Sequence, residues 1–137
     1  MKEKNYIVRF GVSMEDELLQ KFDKLISQKG YTNRSEAIRD LIREKLIQQA
    51  IEKDKICYGV FSFVYDHNKR ELEEKLTDFQ HDNFHLIIST THIHIDRDHC
   101  LEVIIMKGKA GELKKITDKL LSFKGVEHGN LTLTTVE

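Results

Sequence analysis

The chain has 137 residues, a formal net charge of −1, 33% charged residues, seven histidines, two cysteines and no proline or tryptophan. That length allows one domain, or two small ones that share burial through association. No apolar stretch approaches the ~20 residues of a membrane span and no secretory leader opens the sequence, so a cytoplasmic protein with no membrane partner is expected. Two cysteines in a reducing compartment argue against a disulfide framework, and Cys57 reads as a packed core residue.

Residues 1 to 50 carry ten Lys and Arg against eight Asp and Glu, which permits a nucleic-acid-binding module there. Val8, Phe10, Val12 and Met14 alternate with Arg9, Gly11 and Ser13, the pattern of a half-buried strand. Ser13 followed by Asp16 resembles a helix-start box, and Leu18, Leu19, Phe22, Leu25 and Ile26 then recur at helical spacing up to Gly30, which ends the helix. Asn33 with Glu36 marks a second start, followed by Ala37, Ile38, Leu41, Ile42 and Leu46. A strand and two amphipathic helices in so short a module cannot bury their own apolar faces, and a lone strand leaves backbone groups unpaired. Two copies paired antiparallel would make a ribbon that the major groove of DNA admits. Arg9, Gly11 and Ser13 would face the bases: Arg9 with donors suited to guanine, Ser13 with a hydroxyl, Gly11 permitting close approach. Arg34 and Ser35, at the start of the second helix, would reach phosphate.

From Ile56 the pattern is strand (ICYGVFSFVY), helix (KRELEEKLTDFQ), strand (FHLIISTTHIHI), strand (CLEVIIMKG), helix (GELKKITDKLLSF), strand (VEHGNLTLTTV). This βαββαβ order predicts a four-stranded sheet with helices on one face, an α+β chain dividing into residues 1–51 and 52–137. All seven histidines lie in the second part. Alternation puts His92 and His94 on one face of their strand with Ile93 and Ile95 toward a core. It likewise puts Leu101, Val103 and Ile105 toward the core, with Cys100 and Glu102 opposite. Asp96 to His99 is a polar turn. If His94 pairs with Cys100, His92 falls opposite Glu102, and cross-strand separations of ~5 Å bring both pairs within reach of one ion.

His81 is the best remaining fourth ligand. An extended chain would carry it roughly 35 Å from His92, so it is expected to complete the site of a neighbouring subunit, placing a metal at an oligomer interface. Taken singly, a His-x-His on a strand is a surface pair and a lone cysteine a small core residue. The common geometric scheme favours an ion. Three imidazoles and a thiolate suit zinc, copper or nickel, and spacing does not choose among them.

The segment GYTNRSEAIRDLIREKL resembles the ribbon-helix-helix DNA-binding fold, and the His-x-His-x5-Cys spacing, with His81 eleven residues before His92, matches a nickel motif. Together they make the whole chain resemble the NikR family of nickel-responsive transcriptional regulators. The resemblance implies an ACT-like second domain, four of which form a homotetramer, a dimer of dimers, between two DNA-binding pairs. It implies one Ni(II) per subunit, held in a planar arrangement by His92, His94, Cys100 and His81 of an adjacent subunit, with Gln80 and Glu102 as supporting partners. It further implies operator DNA as partner, nickel uptake genes as repressed targets, contacts from Lys69 and Arg70 to the DNA backbone, and a cation pair at Glu36 and Asp40. Four protein ligands leave no open position for a zinc hydrolase. A nickel chaperone or buffer without metal-dependent DNA binding, and a regulator sensing another divalent metal, are the competing readings.

The chain departs from the family pattern in places. Asp82-Asn83-Phe84-His85 follows His81 where several members have a run of histidines, Gly11 replaces Thr or Ser, and an extra MKEKNY segment offers Lys2 and Lys4 to phosphates.

Overall fold

The computed structural model describes residues 3–136. Two compact units divide the chain, residues 1–42 and 43–137. The first contains α1 (Asp16–Gln28) and the start of α2 (Arg34–Glu52). Gly30 closes α1 as its position suggested: its φ is +86°, its N–H donates to Ser27 O at 3.0 Å, and Tyr31 N–H donates to Ile26 O at 3.0 Å. This satisfies the last carbonyls by a left-handed cap. Asn33 Oδ1 accepts Glu36 N–H at 2.9 Å and so opens α2.

One expectation fails here, and a second is not met within a single chain. The box at Ser13 does not form; α1 begins after Glu15, which makes no side-chain cap bond. No hydrogen-bonded strand is assigned at residues 8–14, where every residue is exposed. A strand exists through its pairing, and a single chain provides this segment with no neighbour. Only Ile26 and Ala37 are buried in the two helices, while Leu18, Leu25, Leu41 and Ile42 stay about half exposed.

The second unit contains β1 (Ile56–Asp66), α3 (Leu72–Asp82), a 3-10 turn (Phe84–Leu86), β2 (Ile87–His94), β3 (His99–Lys109), α4 (Ala110–Leu121) and β4 (Val126–Thr134). The sheet order is β2-β3-β1-β4, antiparallel throughout, as a βαββαβ chain predicts. The strand expected from Phe84 starts at Ile87 instead. Asn83 Nδ2 donates to Phe79 O at 2.8 Å and Leu86 N–H to Asn83 O at 3.0 Å, so the end of α3 winds directly into a tight turn. At the end of α2, Asp54 adopts φ 56° and its carboxylate accepts Gly111 N–H at 2.7 Å, capping α4.

Alternation located the two faces of the sheet but the inward one was assigned wrongly. Cys100, Glu102, Ile104 and Met106 are buried, whereas Ile105 and Ile93 are exposed. The aromatic row of β1 decides this. Phe61 stacks on Phe63 at 5.1 Å and Phe63 on Tyr65 at 5.8 Å, and these residues pair with Ile104, Glu102 and Cys100 respectively. Directly paired residues share a face. Leu72 and Leu76 of α3 and Leu113, Ile116 and Leu120 of α4 pack on that same side. The outer face keeps Tyr58, Val60, Ile93 and Ile105 partly exposed.

Phe61 has no exposed surface. Phe61→Ala is expected to cost about 3–5 kcal/mol of stability by removing aromatic contacts and leaving a cavity, read as a lower denaturant midpoint with an unchanged slope.

Candidate metal centre and DNA-facing residues

The hairpin register pairs His94 with Cys100 and His92 with Glu102. These four side chains therefore share the helix-side face of the sheet, with Cys100 and Glu102 buried and His92 and His94 exposed on the edge strand. His94 Nδ1 lies 3.3 Å from Cys100 Sγ, and His67 Nδ1 lies 3.7 Å from it. Two sets of donor atoms each fall within 4.8 Å of one another, His67 with His94 and Cys100, and Glu73 with His92 and Cys100. Metal–ligand bonds of about 2.0–2.3 Å place donors that share an ion roughly 3–3.6 Å apart. The His94–Cys100 pair already has that spacing. A thiolate with imidazoles is a borderline donor set that suits nickel, so the residues fit the ion.

The electrostatics follow from burial. Cys100 has no exposed surface, and desolvation, then the nearby Glu73 carboxylate, push its thiol above the ordinary range. Ligation through sulfur must therefore displace a proton. Burial also raises the Glu102 carboxyl, opposed by Gln80, whose Nε2 donates to Glu102 Oε1 at 2.7 Å. Thr90 hydroxyl donates to Gln80 Oε1 at 3.2 Å, so Gln80 ties α3 to both β2 and β3. Burial, with Glu102 second, holds the Tyr65 phenol well above its usual range, which keeps it a donor. It lies 2.9 Å from His92 Nε2, a contact that orients the ring.

His81 joins neither donor set. It is exposed in the last turn of α3, its ring 6.4 Å from that of Phe84. The extended-chain argument that separated it from His92 does not hold. The bonds of Gln80 to Thr90 and Glu102 show that the chain folds back between residues 80 and 90. His67 and Glu73 were missed by sequence reading. They reach the cluster because β1 pairs with β3 and α3 lies across the sheet, and no local spacing announces either contact.

In the first unit, Lys4, Arg9, Gly11, Ser13 and Ser35 are exposed, and Lys2 lies outside the described residues. Arg34 is not a lone cation. Its Nε and Nη2 donate to the two carboxylate oxygens of Asp23 at 2.9 and 2.8 Å, a fork-to-fork pair between α1 and α2. Glu36 is exposed, and Asp40 accepts the Tyr31 hydroxyl at 2.5 Å. Lys69 and Arg70 are exposed on the turn before α3.

A helical pair preceded by an extended segment is joined to a βαββαβ unit that gathers histidines and a cysteine, donors suited to a divalent metal. Residues 8–49 match the ribbon-helix-helix protein, copG family, and residues 58–134 the NikR C terminal nickel binding domain. The chain belongs to the NikR family of nickel-responsive regulators, which bind DNA and are not enzymes. It is 52% identical over 128 residues to a protein of Solibacter usitatus named as a nickel-responsive regulator, covering 93% of this chain and 92% of that one. Relatives of the same name from Caldanaerobacter subterraneus and Thermococcus onnurineus are 51% and 48% identical, each covering 94% of this chain, with 84% and 94% of their own lengths covered. An uncharacterized protein of Thermotoga maritima shares the fold at TM-score 0.52 and 10% identity, over 58% of this chain and 98% of that one. Among the described residues no helix is long and apolar enough to cross a membrane.

The Asp23–Arg34 pair sets a pH dependence. Arg34 holds the Asp23 carboxyl below its ordinary value of 3.8. The pair's contribution is therefore fully present above pH 3.8 and lost as pH falls through the depressed value. A carboxyl NMR titration should find Asp23 below 3.8 in the native chain, returning toward it in Arg34→Ala.

Proposed function

We propose that the protein is a homotetrameric nickel sensor in which Ni(II), one per subunit, is held by His92, His94 and Cys100 with His81 of a second copy, and that occupancy raises affinity for operator DNA. The observation that carries this reading is the hairpin register, which sets His94 against Cys100 with donor atoms 3.3 Å apart and His92 alongside. The exposure of His81 supports a ligand given to another chain rather than used in its own. The ion would supply a fixed link between a hairpin and the helix end of its neighbour. The surrounding residues do the rest. Tyr65 and Glu102 orient His92 and its surroundings, and Gln80 couples α3 to the sheet.

The oligomer is supported by unsatisfied surfaces. The outer face of the sheet carries Tyr58, Val60, Ile93 and Ile105, and the helices at residues 16–52 expose Leu18, Leu25, Leu41 and Ile42, apolar surface that association would bury. We take residues 1–51 as the DNA-binding part, with Arg9, Gly11 and Ser13 toward the bases and Arg34, Ser35, Lys69 and Arg70 toward phosphate. Residues 52–137 are the nickel-binding part. Linkage makes the effect reciprocal: if nickel tightens operator binding, operator tightens nickel equally. Repression of nickel uptake genes is the physiological output that fits, since a sensor saturated with nickel should stop import.

A second reading has its own observation. His67, 3.7 Å from Cys100 Sγ, offers a three-donor site within one chain, suited to another divalent metal.

Mixing separates the two. His81→Ala and Cys100→Ala should each abolish the thiolate–nickel absorption band and the nickel-dependent gain in promoter affinity, while a co-refolded mixture recovers part of the band through hybrid interfaces. Loss of the band in His67→Ala but not in His81→Ala would instead establish the single-chain site.

A further inference from the structure

His81 differs from the other imidazoles of the proposed centre in what holds its ring. His92 Nε2 meets the Tyr65 hydroxyl at 2.9 Å, and His94 Nδ1 lies 3.3 Å from Cys100 Sγ. Among the described residues no hydrogen bond or ion pair reaches either ring nitrogen of His81, which stands exposed in the last turn of α3. Its ring contact is with Phe84, three residues on, at 6.4 Å between centroids and with the two planes 33° apart. That separation lies within the range over which aromatic rings interact. Phe84 also meets His85 edge-on, at 6.1 Å and 87°, so it stands between two imidazoles. The backbone beneath it is fixed. Asn83 N–H donates to Gln80 O at 3.2 Å, Asn83 Nδ2 to Phe79 O at 2.8 Å, and Leu86 N–H to Asn83 O at 3.0 Å, which winds Phe84–Leu86 into the 3-10 turn. Yet Phe84 is 69% exposed, so this aromatic ring adds little to the core.

We propose that Phe84 is a positioning residue for His81: its ring limits the imidazole to one orientation while leaving both nitrogens open, so that one can ligate the ion of a second copy. This rests on the reading that His81 serves a neighbouring subunit. A ligating histidine ordinarily has its second nitrogen held by a hydrogen bond, which fixes the ring. An aromatic neighbour reaches the same end by packing and occupies neither nitrogen. A freely turning imidazole at a helix end would have to give up its rotamer freedom when it meets the ion. Ordering it beforehand removes that cost from binding, and the gain is read mainly as slower nickel release.

The test uses the full chain and two readouts. In metal-free protein, three-bond NMR couplings at His81 should report one χ1 rotamer in the parent and in Phe84→Tyr, and rotamer averaging in Phe84→Ala and Phe84→Leu. In competition with a chelator, the dissociation constant for Ni(II) should rise about three- to tenfold in the Ala and Leu variants and stay within about twofold of the parent in Tyr. Leucine keeps an apolar side chain at the site, so its loss of affinity separates ring orientation from apolar contact. Thermal midpoint and sedimentation mass should match the parent in all three variants, since the substituted side chain is an exposed one. A Leu variant that binds nickel as tightly as the parent, or a Tyr variant that does not, would overturn the proposal. If His81→Ala still loses nickel in that case, the interface reading stands without it. A His81→Ala variant with parent nickel affinity would overturn both.

Discussion

A slip of one residue between β2 and β3 would turn His92 and His94 to the outer face of the sheet while leaving Cys100 and Glu102 beneath α3. The His94–Cys100 pairing therefore decides whether there is a metal centre at all. It is held in place by more than the hairpin turn. Tyr65 pairs with Cys100 from the other side of β3 and reaches His92 with its hydroxyl, and Gln80 bonds Glu102 from α3. Each strand neighbour thus checks the register of the next.

The same face explains how a hydrophobic interior tolerates a buried carboxyl group. Glu102 is only 6% exposed, and a buried carboxylate without partners would cost several kcal/mol. Gln80 supplies a donor, Thr90 satisfies the other end of the amide, and no buried side-chain nitrogen or oxygen among the described residues lacks a partner. Beside these polar groups, on the neighbouring strand, the stacked Phe61, Phe63 and Tyr65 form a rigid aromatic row.

Both units expose apolar residues on surfaces that a single chain does not cover. In the helices these are the half-exposed leucines of α1 and α2; in the sheet they are the outer side chains of β1, β2 and β3. This division of labour suits a regulator, because the helix-covered face is committed to chemistry and the remaining faces are left for association. The paired Arg34 and Asp23 belong to the same economy, since a cation held by an acid on the preceding helix keeps one fixed direction.

The order of elements in residues 56–136, the caps at Gly30 and Asn33, and the relation of His92 and His94 to Cys100 and Glu102 were legible in the chain, because period, turn chemistry and spacing are local properties. The inward face of β3 was not, because Leu101, Val103 and Ile105 are as apolar as Ile104 and Met106, and only the aromatic row of β1 breaks the tie. The strand at Val8 to Met14 was equally out of reach of one chain, since pairing is not a property of the segment. His67 and Glu73, and the acid that holds Arg34, come from elements whose meeting depends on packing. The sequence by itself determined which side chains share a face within a hairpin; tertiary structure alone decided which face lies inside and what closes over it, because burial depends on the summed packing of elements distant along the chain.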